Sequence, residues 1–111
     1  MRNQHRPTIA TVRSPVHEAA RTGDIPTLSR LLEEGADMEA QDSRRYPLLL
    51  EAAHAGQAET VQFLLENGAD RDATDRDGRN ALIHAAMRGR TATTRLLLEW
   101  GFDPNTRDNA G

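Results

Sequence analysis

The chain repeats itself every 33 residues, and no other property narrows its possible folds as far. Ala19-Ala20, Ala52-Ala53 and Ala85-Ala86 keep this spacing, as do Gly23, Gly56 and Gly89, and Thr27, Thr60 and Thr93. So do Leu31-Leu32-Glu33, Leu64-Leu65-Glu66 and Leu97-Leu98-Glu99, then Gly35, Gly68 and Gly101, then Asp37, Asp70 and Asp103. Asp42, Asp75 and Asp108 close the unit. A fixed period without insertions marks a repeat architecture, in which each unit buries its apolar face only against its neighbours.

Each unit reads as two short helices and a turn. In the first copy Ser14-Pro15 sets a capping residue before a proline suited to the first helical turn, and Val16 to Thr22 follows with paired alanines that let helices approach closely. Gly23 ends that segment. Ile25 to Glu34 then carries Ile25, Leu28, Leu31 and Leu32 at helical spacing before Gly35, a natural left-handed terminus. The polar stretch from Ala69 to Asn80 contains Asp75-Arg76-Asp77-Gly78, a tight-turn signal between extended arms. The second copy has Asp42-Ser43-Arg44-Arg45 there, with arginine in place of glycine, so this turn is expected to be strained or differently shaped.

A unit of this length, made of a turn and two helices, resembles the ankyrin repeat. Ser14-Pro15-Val16-His17-Glu18-Ala19-Ala20 is similar to the family's Thr-Pro-Leu-His-x-Ala signature, and Leu64-Leu65-Glu66-Asn67-Gly68-Ala69-Asp70 is similar to its second-helix ending. The resemblance covers about residues 12 to 111, with repeats at about 12–44, 45–77 and 78–110, and leaves 1–11 as a polar, flexible leader or loose N-terminal cover. It implies an all-α, ankyrin-type solenoid of helix-turn-helix repeats joined by β-hairpin-like loops. The signature proline and histidine occur together only in the first repeat, since Pro47-Leu48-Leu49-Leu50 and Asn80-Ala81-Leu82-Ile83 replace them later. The polar contact of that histidine, His17, to neighbouring loops is therefore expected in repeat one and lost in the other two.

Composition bounds the chemistry. The chain has 111 residues, enough for one small domain, and no cysteine, which excludes disulfide staples, thiolate zinc sites and a cysteine nucleophile. Aromatics make up only 4%, so the core must be aliphatic and alanine-rich. A net charge of −3 argues against broad affinity for nucleic acid or anionic lipid. All 14 basic residues are arginine, which removes lysine Schiff-base chemistry. No apolar run approaches the roughly 18 residues of a membrane span, so a cytoplasmic location is the default expectation, with signal-free secretion compatible with it. There is no His-Glu-x-x-His, glycine-rich phosphate loop or Gly-x-Ser-x-Gly elbow, so neither an enzyme nor a cofactor is expected.

The two ends differ in polarity. On one flank of the second helix Arg30 stands where later copies have Phe63 and Leu96. On the other, Ile25 and Leu28, then Ala58 and Val61, give way to Thr91 and Thr94. This is the pattern expected of a complete three-repeat stack. Against it, Asp108-Asn109-Ala110-Gly111 begins another turn, and Trp100 and Phe102 lie beside that end. These aromatics are expected to cover the end, the alternatives being a removed fourth repeat or a weak end-to-end dimer through Trp100 and Phe102 in place of a monomer.

The resemblance also implies binding through the hairpin tips and the exposed side of the first helices, which together line a concave face. On the first helices, helical spacing puts Glu18 and Arg21, Glu51 and His54, and His84, Met87 and Arg88 on one side, away from the alanines. Gln41, Ser43, Arg44 and Tyr46, then Thr74, Arg76, Asp77 and Arg79, project beside them from the hairpins. Arginine, tyrosine and methionine are enriched at interface cores. Arg21, Arg44, Arg76, Arg79 and Arg88 outnumber Glu18, Glu51 and Asp77, while Glu33, Glu34, Glu59, Glu66 and Glu99 lie opposite. The expected partner is an acidic protein segment held in a basic groove, as in a scaffold, inhibitor or adaptor. The alternative is a weakly nucleic-acid-associated or secreted effector protein using the same groove, with nucleic acid disfavoured by the groove's carboxylates. Glu51, His54 and His84 lie near enough in the repeat to suggest metal ligation, but an open histidine pair is usually solvated, and no metal site is expected.

Overall fold

A computed structural model describes residues 14–111. The expected leader at 1–11 lies outside them. Among the described residues six helices follow in pairs: α1 (Pro15–Thr22) and α2 (Ile25–Glu33), α3 (Leu48–Ala55) and α4 (Ala58–Glu66), α5 (Ala81–Met87) and α6 (Thr91–Glu99). Local chemistry explains their limits. Pro15 opens α1 at the first helical position, where a missing N–H costs nothing. The Asp24 carboxylate accepts the Thr27 N–H at 3.2 Å, and Asn80 does the same for the Ile83 N–H at 3.0 Å, so α2 and α5 carry side-chain caps. Ser14, expected as a cap, occupies the capping position of α1 without a side-chain bond. Gly23 and Gly56 end α1 and α3 at φ 78° and 76°, in the left-handed region that side chains resist.

The first helices stack α1 on α3 on α5, and α4 packs on α6. The paired-alanine column makes this possible: Ala20 and Ala53 are fully buried between neighbouring first helices. The second helices supply Leu28, Val61, Leu64 and Leu97, all fully buried, at roughly 1.5–3 kcal/mol per side chain removed from water. Side chains also bridge the units. Gln57 Nε2 donates to the Arg21 carbonyl at 3.0 Å, and 33 residues later Arg90 Nε donates to the His54 carbonyl at 3.1 Å.

The connecting loops are hairpin-like without strands, since the described residues contain none. Asp42 N–H bonds the Tyr46 carbonyl at 3.1 Å and Asp75 N–H bonds the Arg79 carbonyl at 3.0 Å. The carboxylate of each aspartate turns back on its own loop: Asp42 accepts the N–H groups of Arg44 and Tyr46, Asp75 those of Asp77 and Arg79. The first of these loops therefore has the same shape as the second, not a different one, and the strain expected there is real. Arg45 stands at φ 66° where Gly78 stands at φ 78°. A non-glycine residue in that region costs about 1–2 kcal/mol, partly offset by the entropy glycine loses on folding. Arg45→Gly is expected to stabilise the chain by roughly 0.5–1 kcal/mol, read as a higher urea midpoint with an unchanged slope.

His17 behaves as the signature implied. It is buried, and its Nε2 donates to the carbonyls of Ala40 at 2.8 Å and Tyr46 at 3.2 Å, pinning the base of the first loop to α1. Leu50 and Ile83 hold the same column in the later repeats and make no such bond.

The aromatic residues near the end turn inward. Phe102 is buried with the Arg71 guanidinium 4.7 Å from its ring centre, and Trp100 Nε1 donates to Gln62 Oε1 at 3.2 Å. Both contacts lead back to the second repeat. Trp100 and Phe102 therefore neither cover the outer face of the third repeat nor present an exposed patch for a dimer. That face consists of Ala86, Gly89, Thr91, Thr94, Arg95 and Leu98 around a shallow depression of about 400 Å³. No helix among the described residues is long and apolar enough to cross a membrane.

Candidate functional site

The two loops stand side by side and enclose a cleft of about 280 Å³ lined by Ser43, Arg44, Tyr46, Asp75, Arg76, Asp77 and Arg79. Five of the seven are charged, and the volume suits one or two side chains better than a cofactor, whose pockets start at about 300 Å³ and are largely apolar. Gln41 and Thr74 are exposed at the loop starts, and Met87 and Arg88 are exposed where α5 ends, with Met87 at 61%.

The floor of the cleft is a connected polar cluster. Tyr46, His54 and His84 meet ring against ring, with centroids 4.8 to 5.5 Å apart. His84 is buried, and its Nε2 donates to the Asp75 carboxylate at 2.9 Å. That leaves His84 Nδ1 to accept from His54 Nδ1 across 3.3 Å, which fixes both tautomers. Burial, then the charges of Arg88, His84, Arg44 and Arg90, hold His54 down at about 4, and burial outweighs Asp75 in lowering His84. Both rings are therefore neutral near pH 7.

Glu51 occupies in the second repeat the column that His84 occupies in the third, and Asp42 the column of Asp75. A carboxyl thus meets a carboxyl where the next unit pairs a carboxyl with imidazole. Glu51 is 1% exposed. Burial first, and then its hydrogen bond with Asp42, push it up to about 7, against the pull of Arg44. Burial would raise Asp42 as well, but hydrogen bonds from Glu51, from the Tyr46 N–H and from Arg44 bring it to about 2. Arg44 closes the cluster from the solvent side. Its Nη2 lies 3.0 Å from Asp42 and 2.5 Å from Glu51, and its guanidinium carbon lies 4.3 Å from the Tyr46 ring centre. Such an arginine over a ring is held by cation–π attraction as well as by charge.

The expected groove residues therefore divide. The structure gathers Ser43, Arg44, Tyr46, Arg76, Asp77 and Arg79 at the cleft, while Gln41, Thr74, Met87 and Arg88 are exposed but do not line it. Glu51 and His84, expected on the open face, are instead buried beneath it, because their carboxyl and imidazole groups serve the loop aspartates. His54 is half-buried between them. Three of the five groove arginines are already paired: Arg21 with Glu18, Arg44 with Asp42 and Glu51, and Arg79 with Asp77 at 3.1 Å and Asp108 at 3.4 Å. Arg76 and Arg88 carry no ion pair among the described residues. Among those residues no group of three or more His, Asp or Glu is placed to hold a metal ion. Asp42 and Asp75 lie outside the groove residues that helical spacing and loop position point to; their recurrence at the repeat period, nine residues before Glu51 and His84, is the signal that marks them.

A family model for ankyrin repeats matches residues 16–108 in three copies. Among solved structures the chain is similar to the human ASB11 ankyrin repeat domain, with 33% identity and a TM-score of 0.75 over 86% of this chain and 43% of that one. The chain thus spans less than half of that domain. Among curated proteins no match is found. With three copies of the repeat spanning almost all of the described residues, and helix pairs stacked as in a solved ankyrin domain, the chain belongs to the ankyrin repeat family.

Proposed function

We propose that the chain binds an acidic protein segment across the cleft between its two loops. Ankyrin repeats are generally protein–protein interaction modules, and the observation that selects this cleft is the state of its charges. Asp75 is occupied by two backbone N–H groups and His84, and Asp77 is occupied by Arg79, whereas Arg76 is exposed with no ion pair among the described residues. Arg76 is therefore the cation at the mouth left open to a partner, in a chain of net charge −3. Carboxylates of a partner approach Arg76 first and meet the outer edges of Arg44 and Arg79 next. The Tyr46 ring, also in the lining, offers apolar contact beside them.

The test uses a hexaglutamate peptide as probe. Arg76→Ala with Arg79→Ala is expected to weaken its binding about tenfold at low salt and to flatten the salt dependence of the association rate. Unchanged affinity and salt dependence in the double variant would place binding elsewhere. A short single-stranded oligonucleotide run beside it in a gel-shift is expected to show no retention, since affinity for a strand grows with the number of phosphates neutralised and the groove offers few arginines without an ion pair among the described residues.

A further inference from the structure

The cleft is a seam left open, where the next seam of the stack is closed. Between the second loop and the turn at 108–111 the loops are bonded to each other: the Asn109 N–H donates to the Asp77 carbonyl at 2.8 Å, and Asn109 Nδ2 donates to the Arg76 carbonyl at 3.3 Å. One period earlier the same columns hold Arg76, Arg44 and Ser43. Among the described residues no hydrogen bond joins the first loop to the second, and the Arg76 N–H and the carbonyls of Ser43 and Arg44 have no hydrogen-bond partner there.

Two residue differences account for the opening. Asparagine offers a short amide donor to the neighbouring carbonyl, whereas arginine in that column is long, charged and exposed. Arg45 stands where the later loop has Gly78, and a Cβ placed at Gly78 would strike Asn109 Oδ1 and come within 3.1 Å of the Asn109 backbone N. In the first loop that Cβ is present, so the second loop is held off the first.

The open seam therefore offers backbone groups to a visitor. Ser43, Arg44 and Arg76 are exposed and line the same cleft of about 280 Å³, room for a short stretch of extended chain. A trans peptide group carries its C=O and its N–H on opposite sides. One such group matches both edges, its oxygen accepting from the Arg76 N–H and its N–H donating to the Arg44 carbonyl. The side-chain pairs do not compete for these atoms: the Arg44 guanidinium is bonded to Asp42 and Glu51, that of Arg79 to Asp77 and Asp108, and the Asp42 and Asp75 carboxylates accept from other N–H groups of their own loops.

We infer that the acidic segment is recognised by its main chain as well as by its carboxylates: it lies extended in the open seam, and one of its peptide groups bridges the Arg76 N–H and the Arg44 carbonyl. This rests on the binding reading given above. It adds conformation to charge, since main-chain bonds of this kind give affinity only to extended chain. A helical acidic segment, whose peptide groups are bonded internally, does not fit, and neither does a polyanion without backbone N–H groups.

Hexaglutamate and its fully N-methylated analogue carry the same carboxylates, but the analogue has no backbone N–H to donate. The analogue is expected to bind about tenfold more weakly, the order of one lost hydrogen bond. In NMR spectra of the labelled chain the Arg76 amide proton is expected to move downfield and to exchange more slowly when hexaglutamate binds. Arg45→Gly with Arg76→Asn restores both residues of the closed seam. This variant is expected to have a higher urea midpoint than Arg45→Gly with Arg76→Ala, and to bind hexaglutamate about tenfold more weakly than that comparator, which lacks the Arg76 charge equally. Equal affinity for the two peptides with the Arg76 amide unmoved, while binding still falls on Arg76→Ala with Arg79→Ala, would overturn the main-chain contact and leave the binding reading standing. Equal binding by the closed variant and its comparator would likewise overturn it. Absence of hexaglutamate binding to the wild-type chain would overturn both.

Discussion

Glu51→Gln is expected to gain about 2–3 kcal/mol of stability relative to the wild-type chain between pH 5 and pH 8. The carboxyl titrates at its ordinary 4.5 when the chain is unfolded and at about 7 when Glu51 is buried beside Asp42. Between those values the native state binds more protons than the unfolded one, so stability falls as pH rises through this window and is level outside it. Glutamine has the shape of the protonated acid and no charge to bury. Urea midpoints of the two proteins at pH 5 and pH 8 measure the difference directly, and it corresponds to roughly 10 °C or more in Tm for a domain of this size. Parallel curves for the two proteins across this range would mean that Glu51 ionises normally.

The wild-type curve alone conceals the effect, because His54 opposes it. Its native value of about 4 lies below its ordinary 6.5, so the unfolded state binds the extra proton between these values and stability rises with pH there. From about pH 4.5 to 6.5 the two slopes cancel. Removing Glu51 should therefore uncover a stability that climbs with pH through that interval, and comparison of Glu51→Gln and His54→Gln with the double replacement separates the terms.

What the amino-acid sequence discloses, and what it conceals, follows from the range of each interaction. The period, the helix pairs and the buried alanine column are legible because they rest on contacts repeated at a fixed spacing, so that each copy checks the others. The left-handed turn at Arg45 is legible in the same way, by comparison with Gly78. Side-chain pairing within one column is not. Glu18, Glu51 and His84 share a register but differ in chemistry, and helical spacing alone sets all three on the open face. Only Glu51 and His84 are drawn under the loops, each by an aspartate nine residues earlier. The same blindness affects the charge count. Five arginines in the groove suggested a strongly basic surface, yet Arg21, Arg44 and Arg79 are bound by carboxylates of their own chain, and such pairs cancel most of the field that a tally attributes to them. The aromatics mislead for a related reason: Trp100 and Phe102 lie beside the outer end in the chain but fold back onto Gln62 and Arg71.

The column comparison yields its sharpest test at the alanines. Ala53→Leu is expected to destabilise the chain by about 2–3 kcal/mol, whereas Ala86→Leu, the same replacement one period later, is expected to stay within about 0.5 kcal/mol. Ala53 is fully buried where α3 packs on α5. Three added carbon atoms have no space there, and the first helices must separate, which also draws Arg90 away from the His54 carbonyl it reaches at 3.1 Å. Ala86 faces the shallow depression on the outer side of the third repeat, and a side chain added at neighbouring Gly89 would meet nothing, whereas at Gly56 it would strike Arg90 at 2.7 Å. Helix propensity is nearly equal for the two residue types, so it does not separate the variants. Urea unfolding of both proteins decides the matter. Similar losses for the two would mean that the outer face is packed as tightly as the interior, and that position in the stack, not the repeated residue type, had been misjudged.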